Sequence, residues 1–410
     1  MGTKTLIRLL ISLAIVGGIA TVLHYTGSGG ISEVTSSTTK KKVFTDFPIN
    51  EVASIEILEK DRSVTLTKGK ATWEVSERDG YPANAAPINK LLLELWDLNI
   101  VQPVTIGRSQ FSRLSLIGPD EAKSADEAAT ILRFKDAEGN ELDTIWLGKV
   151  YERSENRPNP MGGGMATTEA GRYIKPGGTN SVYLVGNTFG GAQAEAADWL
   201  SKDFFKAVDI RSIEIQTGEK ANDWKLVRED PSGDLAFAKA GKDELLDQTK
   251  VSSMKSAFNN SQFEDVFTAE EAKEIQAGKT AFKIATFDGF NYVVSVGEKN
   301  DLNELPLTLK VSAKLQDKRK PGEDESDEDK ERLNKEFETN LNELKTKLAN
   351  EKKLEGKTFK IRSFLVDSIT KARTDLLKED EAALPKPGTE IAPGVSIPGL
   401  PPGLLQGGGN

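Results

Sequence analysis

The sequence has no cysteine, and it has one histidine, His24, in 410 residues. The missing thiols exclude disulfides, thiolate zinc sites, thiol nucleophiles and the lipidated cysteine of a lipoprotein. Because His24 lies at the edge of an apolar N-terminal run, the rest of the chain cannot form a Ser/His/Asp set. An excess of basic residues is also missing, since the formal net charge is -9. We therefore expect no nucleic-acid partner.

The N-terminus carries the apolar run Leu6–Tyr25, LIRLLISLAIVGGIATVLHY. About 20 helical residues cross the hydrocarbon core of a bilayer. Lys4 and Arg8 precede the apolar centre, which favours a cytoplasmic N-terminus with the rest of the chain outside. We predict a signal anchor at residues 1–25 that holds the protein in the membrane through residues 6–25. A cleaved signal peptide is the alternative, since the uncharged centre is short enough for one.

Two segments have the composition of chain that forms no core. Residues 26–42 are rich in Gly, Ser and Thr, which predicts a flexible linker. Residues 381–410 are rich in Pro and Gly without a period, which predicts a disordered or extended tail.

The tetrapeptide Ser-Ile-Glu-Ile occurs twice, at residues 54–57 and 212–215. In each copy the isoleucines alternate with polar residues, the period of a half-buried strand. Similar alternation follows each copy in the same order. It involves Val64 with Leu66 and Trp73 with Val75 after the first copy, and Trp224 with Leu226 and Leu235 with Phe237 after the second.

The colinearity extends to helices, turns and closing strands. Helical periodicity at 86–96 is matched at 248–258, and Gly139 is matched by Gly289 in a predicted hairpin turn. Each copy then ends with a predicted strand and helix, at Val182–Val185 with 192–200 and at Phe359–Arg362 with 365–377. We predict an α+β fold of two tandem homologous units, 43–205 and 206–380. Each is an antiparallel meander, a helix, a hairpin and a closing strand and helix, and the isoleucines face two cores.

The second unit contains a charged segment, predicted as a helical insertion at 318–356. Its acidic run lacks the ligand spacing of an EF-type calcium loop, and suits the start of an amphipathic helix of about 25 residues. The apolar stripe either packs on its own unit or forms a projecting arm that docks a partner. We treat these residues as candidate partner contacts: Leu333, Phe337, Leu341, Leu344 and Leu348.

The first unit contains the glycine-rich segment Met161–Met165, between Pro160 and Ala166. It has neither the Gly-Lys-Ser/Thr ending of a P-loop nor the spacing of a dinucleotide site, so we expect a mobile loop. Met161 and Met165 are further candidate partner contacts. The residues mark out no catalytic, cofactor or metal site.

Several short motifs resemble, in their order along the chain, the bacterial family called domain of unknown function 4340. An N-terminal membrane helix and Phe47-Pro48 precede the first SIEI strand, and the later motifs follow in the family's order. These are Thr72–Val75 (TWEV), Pro82-Ala83, Leu116–Pro119 (LIGP), Leu147–Lys149 (LGK) and Val182–Val185 (VYLV). The resemblance implies a membrane-anchored extracytoplasmic component grouped with ABC-type transport systems and gliding-motility auxiliary proteins. It implies no catalytic residue.

Two classes of function follow from these observations. The first is a non-enzymatic accessory or scaffold component, anchored in the bacterial inner membrane with its body in the periplasm, that binds a transporter permease or other envelope proteins. The second is a protein that binds a small molecule or glycan, or a hydrolase, in the cleft between the two units, because ligand sites favour domain interfaces.

Overall fold

The structure is a computed structural model that describes residues 41–158, 165–220, 222–242, 244–275, 280–322 and 325–378. Among these residues, none of the helices combines the length and the hydropathy that a bilayer crossing requires. The predicted anchor, nearly all of the predicted linker, the predicted tail and Met161 lie outside the described residues.

The first sheet contains nine antiparallel strands, which include the predicted meander. Their order across the sheet is β4-β3-β2-β1-β6-β7-β8-β9-β5. The strands are β1 Ser54–Leu58, β2 Ser63–Lys68, β3 Trp73–Val75, β4 Tyr81–Pro82, β5 Ile100–Val104, β6 Thr130–Lys135, β7 Glu141–Pro158, β8 Met165–Pro176 and β9 Val182–Val185.

The second sheet contains eight antiparallel strands in the order β12-β11-β10-β14-β15-β16-β17-β13. Apart from β4, the two sheets have the same strand order when strands are counted along the chain within each sheet. The strands are β10 Ile210–Gln216, β11 Trp224–Val227, β12 Ala236–Phe237, β13 Asp265–Val266, β14 Thr280–Thr286, β15 Phe290–Val296, β16 Glu304–Ala313 and β17 Thr358–Arg362.

The two SIEI segments form β1 and β10, as the alternation predicts. Ile55 pairs with Leu66 on one side and Phe134 on the other, and Ile213 pairs with Leu226 and Ile284. Ile55 and Ile213 are fully buried. The glutamate of each SIEI segment, Glu56 or Glu214, instead faces basic side chains of the two neighbouring strands.

The core differs from the two separate cores that the sequence predicts. Buried side chains of both sheets belong to one continuous apolar cluster, which includes Ile55 and Ile213. Aromatic rings connect the two parts: Tyr81 of β4 lies edge-on to Phe263 and to Phe359 of β17, at 5.9 and 6.3 Å between ring centroids. The two sheets therefore share apolar packing.

The helices of the described residues are mostly short. They are α1 Ala85–Trp96, α2 Gln248–Val251, α3 Glu271–Glu274, α4 Asp327–Lys352 and α5 Phe364–Asp367. The predicted helix 86–96 is confirmed as α1, and Asn84 caps it by accepting a hydrogen bond from the Ala86 amide at 3.1 Å. The charged helix is confirmed as α4, and Ser326 caps its acidic first turn.

Three predicted helices are wrong in length. The 248–258 segment has one α-helical turn followed by a 3₁₀ helix at Ser252–Ser256. The closing segment of the first unit has only the 3₁₀ helix Ala196–Trp199, and that of the second has α5 and the 3₁₀ helix Arg373–Leu376. The apolar residues with helix-like spacing in these segments are buried in the core although the segments are not continuous helices, so the spacing alone does not predict helix length.

The two distinctive segments occupy different connections. The glycine-rich segment joins β7 to β8, whereas α4 lies between β16 and β17. The strands β7 and β8 continue past the residues that pair with β6 and β9. We call this continuation, residues 151–158 and 165–171, the hairpin arm. Within the described part of the chain, the two strands of the hairpin arm pair only with each other.

Candidate functional site

A large cleft lies where the first sheet, the second sheet and the end of α4 meet. Residues 201–209, which we call the connecting segment, leave the first sheet beside β4: the Ser201 amide donates to the Pro82 carbonyl at 2.9 Å. The segment reaches the second sheet where the Ala207 amide donates to the Phe258 carbonyl at 3.1 Å. Hydrogen bonds at both ends therefore fix the segment across the junction.

The cleft has a volume of about 710 Å³, within the range of small-molecule sites. We call it the lysine cleft because five of the residues that line it are lysines. One wall of the cleft is formed by β4 and Ala83. A second wall is formed by the connecting segment together with residues 260–262, and a third by the end of α4 and the turn that follows it. The lysines are Lys202, Lys206, Lys347, Lys353 and Lys357.

Aromatic side chains form the apolar base of the lysine cleft. Phe204 packs against Phe263 and Phe359 with ring centroids 5.2 and 4.9 Å apart. Tyr81 is 3% exposed, and burial together with the nearby Asp203 charge raises the pKa of its hydroxyl. The base is rigid because these rings belong to the shared core.

Glu351 is a buried acid at the wall of the lysine cleft. One of its oxygens accepts a hydrogen bond from the Lys206 amide and the other accepts one from the Tyr292 hydroxyl, both at 2.9 Å. Burial raises the pKa of Glu351, although these hydrogen bonds and the Lys347 charge oppose the shift. Because α4 supplies Glu351, the end of this helix is held against both the connecting segment and β15.

Two of the five lysines already have close partners. Lys202 donates to the Glu264 carbonyl at 2.6 Å and lies over the Phe263 ring, and burial lowers its pKa. The Lys347 Nζ is 3.5 Å from a carboxylate oxygen of Asp288 and 4.1 Å from the centre of the Phe290 ring.

The other three lysines are less constrained. Lys353 donates to the Asn350 side chain at 2.9 Å, and the Lys357 ammonium lies 5.2 Å from the centre of the Tyr81 ring. Among the residues that the structure describes, no carboxylate forms an ion pair with Lys206, Lys353 or Lys357. Only two acids line the cleft, Asp203 and Glu351, so its wall has a net positive charge in a chain with a net negative one.

A salt bridge elsewhere at this junction joins the 3₁₀ helix Ser76–Arg78, between β3 and β4, to β13 of the second sheet. Arg78 donates to both carboxylate oxygens of Asp265 at 2.8 and 2.7 Å. Burial by itself would raise the pKa of Asp265, but the hydrogen bonds from Arg78 and the Val266 amide outweigh that effect and hold the pKa below its usual value. The Ala269 amide also donates to Asp79, at 2.6 Å.

The described residues that are predicted as partner contacts lie on two different elements of the fold. Met165 lies on the hairpin arm and is 53% exposed, and Met161 lies outside the described residues. All five apolar residues of the predicted stripe lie on α4 and are half-buried. Of these, Leu344 and Leu348 pack against the shared core, whereas Leu333, Phe337 and Leu341 lie nearer the start of the helix, outside that core. The stripe therefore has an inner part and an outer part.

Sequence reasoning predicts a cleft between the two units but does not identify the lysines that line the observed one. A signal was present, because three lysines occur between residues 352 and 357 of an otherwise acidic chain. The separation of Tyr81, Lys206 and Lys353 along the chain conceals their proximity. In the part of the chain that the structure describes, no three carboxylate, histidine or cysteine side chains are placed to hold a metal ion.

These features define a mixed α+β protein with two antiparallel sheets and a positively charged cleft at their junction. The family resemblance is confirmed over residues 161–279, which match the model named Domain of unknown function (DUF4340). The matched residues begin between β7 and β8 and end before β14, so they cover the end of the first sheet and the start of the second. No curated protein and no solved structure matches the chain.

Proposed function

We propose that this protein is a non-enzymatic accessory or scaffold component of an ABC-type transport system, and that it acts by protein–protein interaction. It is anchored in the bacterial inner membrane through residues 6–25, with its body in the periplasm. The sequence of the N-terminus and the family resemblance support this location. The partner is a transporter permease or another envelope protein.

We also propose that the two sheets are copies of one ancestral unit. The shared strand order supports a duplication, as do the two SIEI strands and the hairpin glycines Gly139 and Gly289, which both have positive φ. Under this hypothesis, β8 corresponds to β16, and the two units were extended at different connections. Such extensions often contact partners, because a loop can vary while the body is preserved.

The observation that carries the interaction role is the outer part of the α4 stripe. Leu333, Phe337 and Leu341 repeat at four-residue spacing on a helix whose inner end is fixed by Leu348 and Glu351. A rigidly held helix that presents apolar side chains beyond the core suits recognition of an apolar groove in another protein. The exposed Met165 on the hairpin arm provides a second candidate contact.

The test is a pull-down of the full chain from membranes. Deletion of residues 318–356 is unsuitable because it also removes Leu344, Leu348 and Glu351, which stabilise the body. We instead replace Leu333, Phe337 and Leu341 with Gln and expect a co-purifying permease to be lost. The matched control replaces exposed residues of the same helix: Glu331→Gln, Glu338→Gln and Lys345→Gln. Equal permease recovery with both variants would contradict the role of the stripe.

The second candidate function is binding of a small molecule or glycan in the lysine cleft. The observation that favours it is the cleft volume of about 710 Å³ at the junction of the sheets. Equilibrium dialysis with radiolabelled ligands of defined charge tests this role directly.

A further inference from the structure

We infer that the lysine cleft binds a small polyanion, a ligand with two or more phosphate or carboxylate groups, through Lys206, Lys353 and Lys357. This inference deepens the second candidate function and does not depend on the interaction role of α4. The lysines come from the connecting segment and from the turn after α4, two parts of the chain that the fold brings to one cleft.

The charge of the cleft is the first argument. The whole chain has more acidic than basic residues, yet the residues that line this cleft include five lysines and only two acids. One of those acids, Glu351, already accepts hydrogen bonds from the Lys206 amide and the Tyr292 hydroxyl. A concave surface with an excess of one charge concentrates the opposite charge within it.

The state of the lysines is the second argument. In the described ranges, Lys206, Lys353 and Lys357 have no carboxylate partner, so an entering anion would not have to displace one. Lys202 donates to the backbone carbonyl of Glu264 and adds positive charge at the same wall, whereas the charge of Lys347 is offset by its ion pair with Asp288. Several ammonium groups at separate positions favour a ligand with several anionic groups over one with a single charge.

The shape of the cleft limits the ligand. The base is made of buried rings, including Tyr81 and Phe204, and is rigid. A volume of about 710 Å³ suits a compact metabolite or a short anionic segment of a glycan.

The experiment is isothermal titration calorimetry of the full chain with two polyanions, inorganic tripolyphosphate and citrate, and with the neutral disaccharide trehalose. We expect at least one polyanion to bind, with an affinity that falls as salt is raised, and trehalose not to bind. Binding of tripolyphosphate alone would assign the cleft to phosphates, and binding of citrate alone to carboxylates.

The variants K206Q, K353Q and K357Q, combined in one chain, should weaken this binding by at least about tenfold. The matched control combines K123Q, K220Q and K299Q, which remove three exposed lysines outside the cleft and should leave affinity unchanged. The inference is overturned if neither polyanion binds, or if both triple variants lose affinity equally. Because permease recovery is measured separately, failure of this inference leaves the interaction role intact, and the reverse also holds.

Discussion

Arg78, which ends a short 3₁₀ helix between β3 and β4, forms a two-point salt bridge with Asp265 of β13, although the two residues are 187 positions apart in sequence. Their side chains are 18% and 12% exposed, so water screens the pair little. The planar guanidinium matches both carboxylate oxygens, which a lysine ammonium could not do. This pair therefore fixes the position of β13 relative to the first sheet.

We predict that Arg78→Lys lowers the free energy of unfolding by about 2–3 kcal/mol, because one of two charge-assisted hydrogen bonds is lost and Asp265 stays partly desolvated. Urea titration followed by circular dichroism measures this change. Arg62→Lys is the control, since the Arg62 side chain is 53% exposed, and it should have little effect. Equal losses in both variants would contradict the special role of the junction pair.

The same pair predicts part of the acid sensitivity. The pKa of Asp265 is lower in the folded protein than its usual value, so the folded state holds the ionised form more strongly. Its stabilising contribution is complete above the unfolded pKa of about 3.9 and is lost as the pH falls through the lower folded value. Asp265→Asn should flatten the decline in unfolding free energy as the pH falls below about 4. An unchanged slope would argue against this account.

Glu351 predicts the opposite pH dependence. Its pKa is raised by burial, so the folded state binds the proton more tightly than the unfolded state. Stability should therefore fall as the pH rises from the unfolded pKa, about 4.3, through the raised folded value. Glu351→Gln should remove this fall, which subtraction of the two pH profiles from urea titrations would reveal. Glu351→Ala should cost about 1–3 kcal/mol more than Glu351→Gln, because it leaves the Lys206 amide without its acceptor.

The shared core predicts that both sheets unfold together. Phe204 packs against Phe263, which lies just before β13, and against Phe359 of β17. It also belongs to the same apolar cluster as Ile55 of the first sheet. Phe204→Ala should lower stability by about 3–5 kcal/mol and shift one cooperative transition. Phe364→Ala is the control because Phe364 is 76% exposed. Tryptophan fluorescence and far-ultraviolet circular dichroism should give coincident curves, and two separated transitions would contradict a common core.

The two hairpin glycines should differ in how much stability is lost when each is replaced by alanine. Both have positive φ, 86° for Gly139 and 91° for Gly289, so alanine is strained at either position. A Cβ at Gly139 would enter open space, whereas at Gly289 it would overlap the Lys314 carbonyl oxygen. Gly139→Ala should cost about 1–2 kcal/mol and Gly289→Ala clearly more. Thermal unfolding of the two variants compares them, and equal costs would refute the predicted overlap.

Local periodicity was enough to predict much of the fold. Ile55 and Ile57 are buried because side chains of a strand alternate between its faces, and this alternation is visible in the sequence. The same reasoning places α1 and α4 correctly. The reasoning fails at Trp96, because the helical pattern suggests that this side chain is buried. In the structure Trp96 is 49% exposed, and the Lys42 ammonium covers one side of its ring. A pattern shows which residues share a face but does not show how far the neighbouring element extends.

The candidate site was less predictable. The sequence predicts a cleft between two units, but the residues that line the observed one are drawn from segments more than 100 positions apart, such as Tyr81, Lys206 and Lys353. The apolar stripe of α4 shows the same limit. Its regular spacing does not reveal that Leu344 and Leu348 pack in the core while Leu333 lies outside it.

The sequence by itself determined the meander, hairpin and closing strands, the helices α1 and α4 and their repeated order, because backbone geometry imposes short periods that are visible within each segment. The tertiary structure alone decided that two sheets share one core, that Arg78 reaches Asp265, and that lysines from distant segments meet in one cleft. These relationships depend on which faces come together when apolar surface is buried, and no local period encodes that choice.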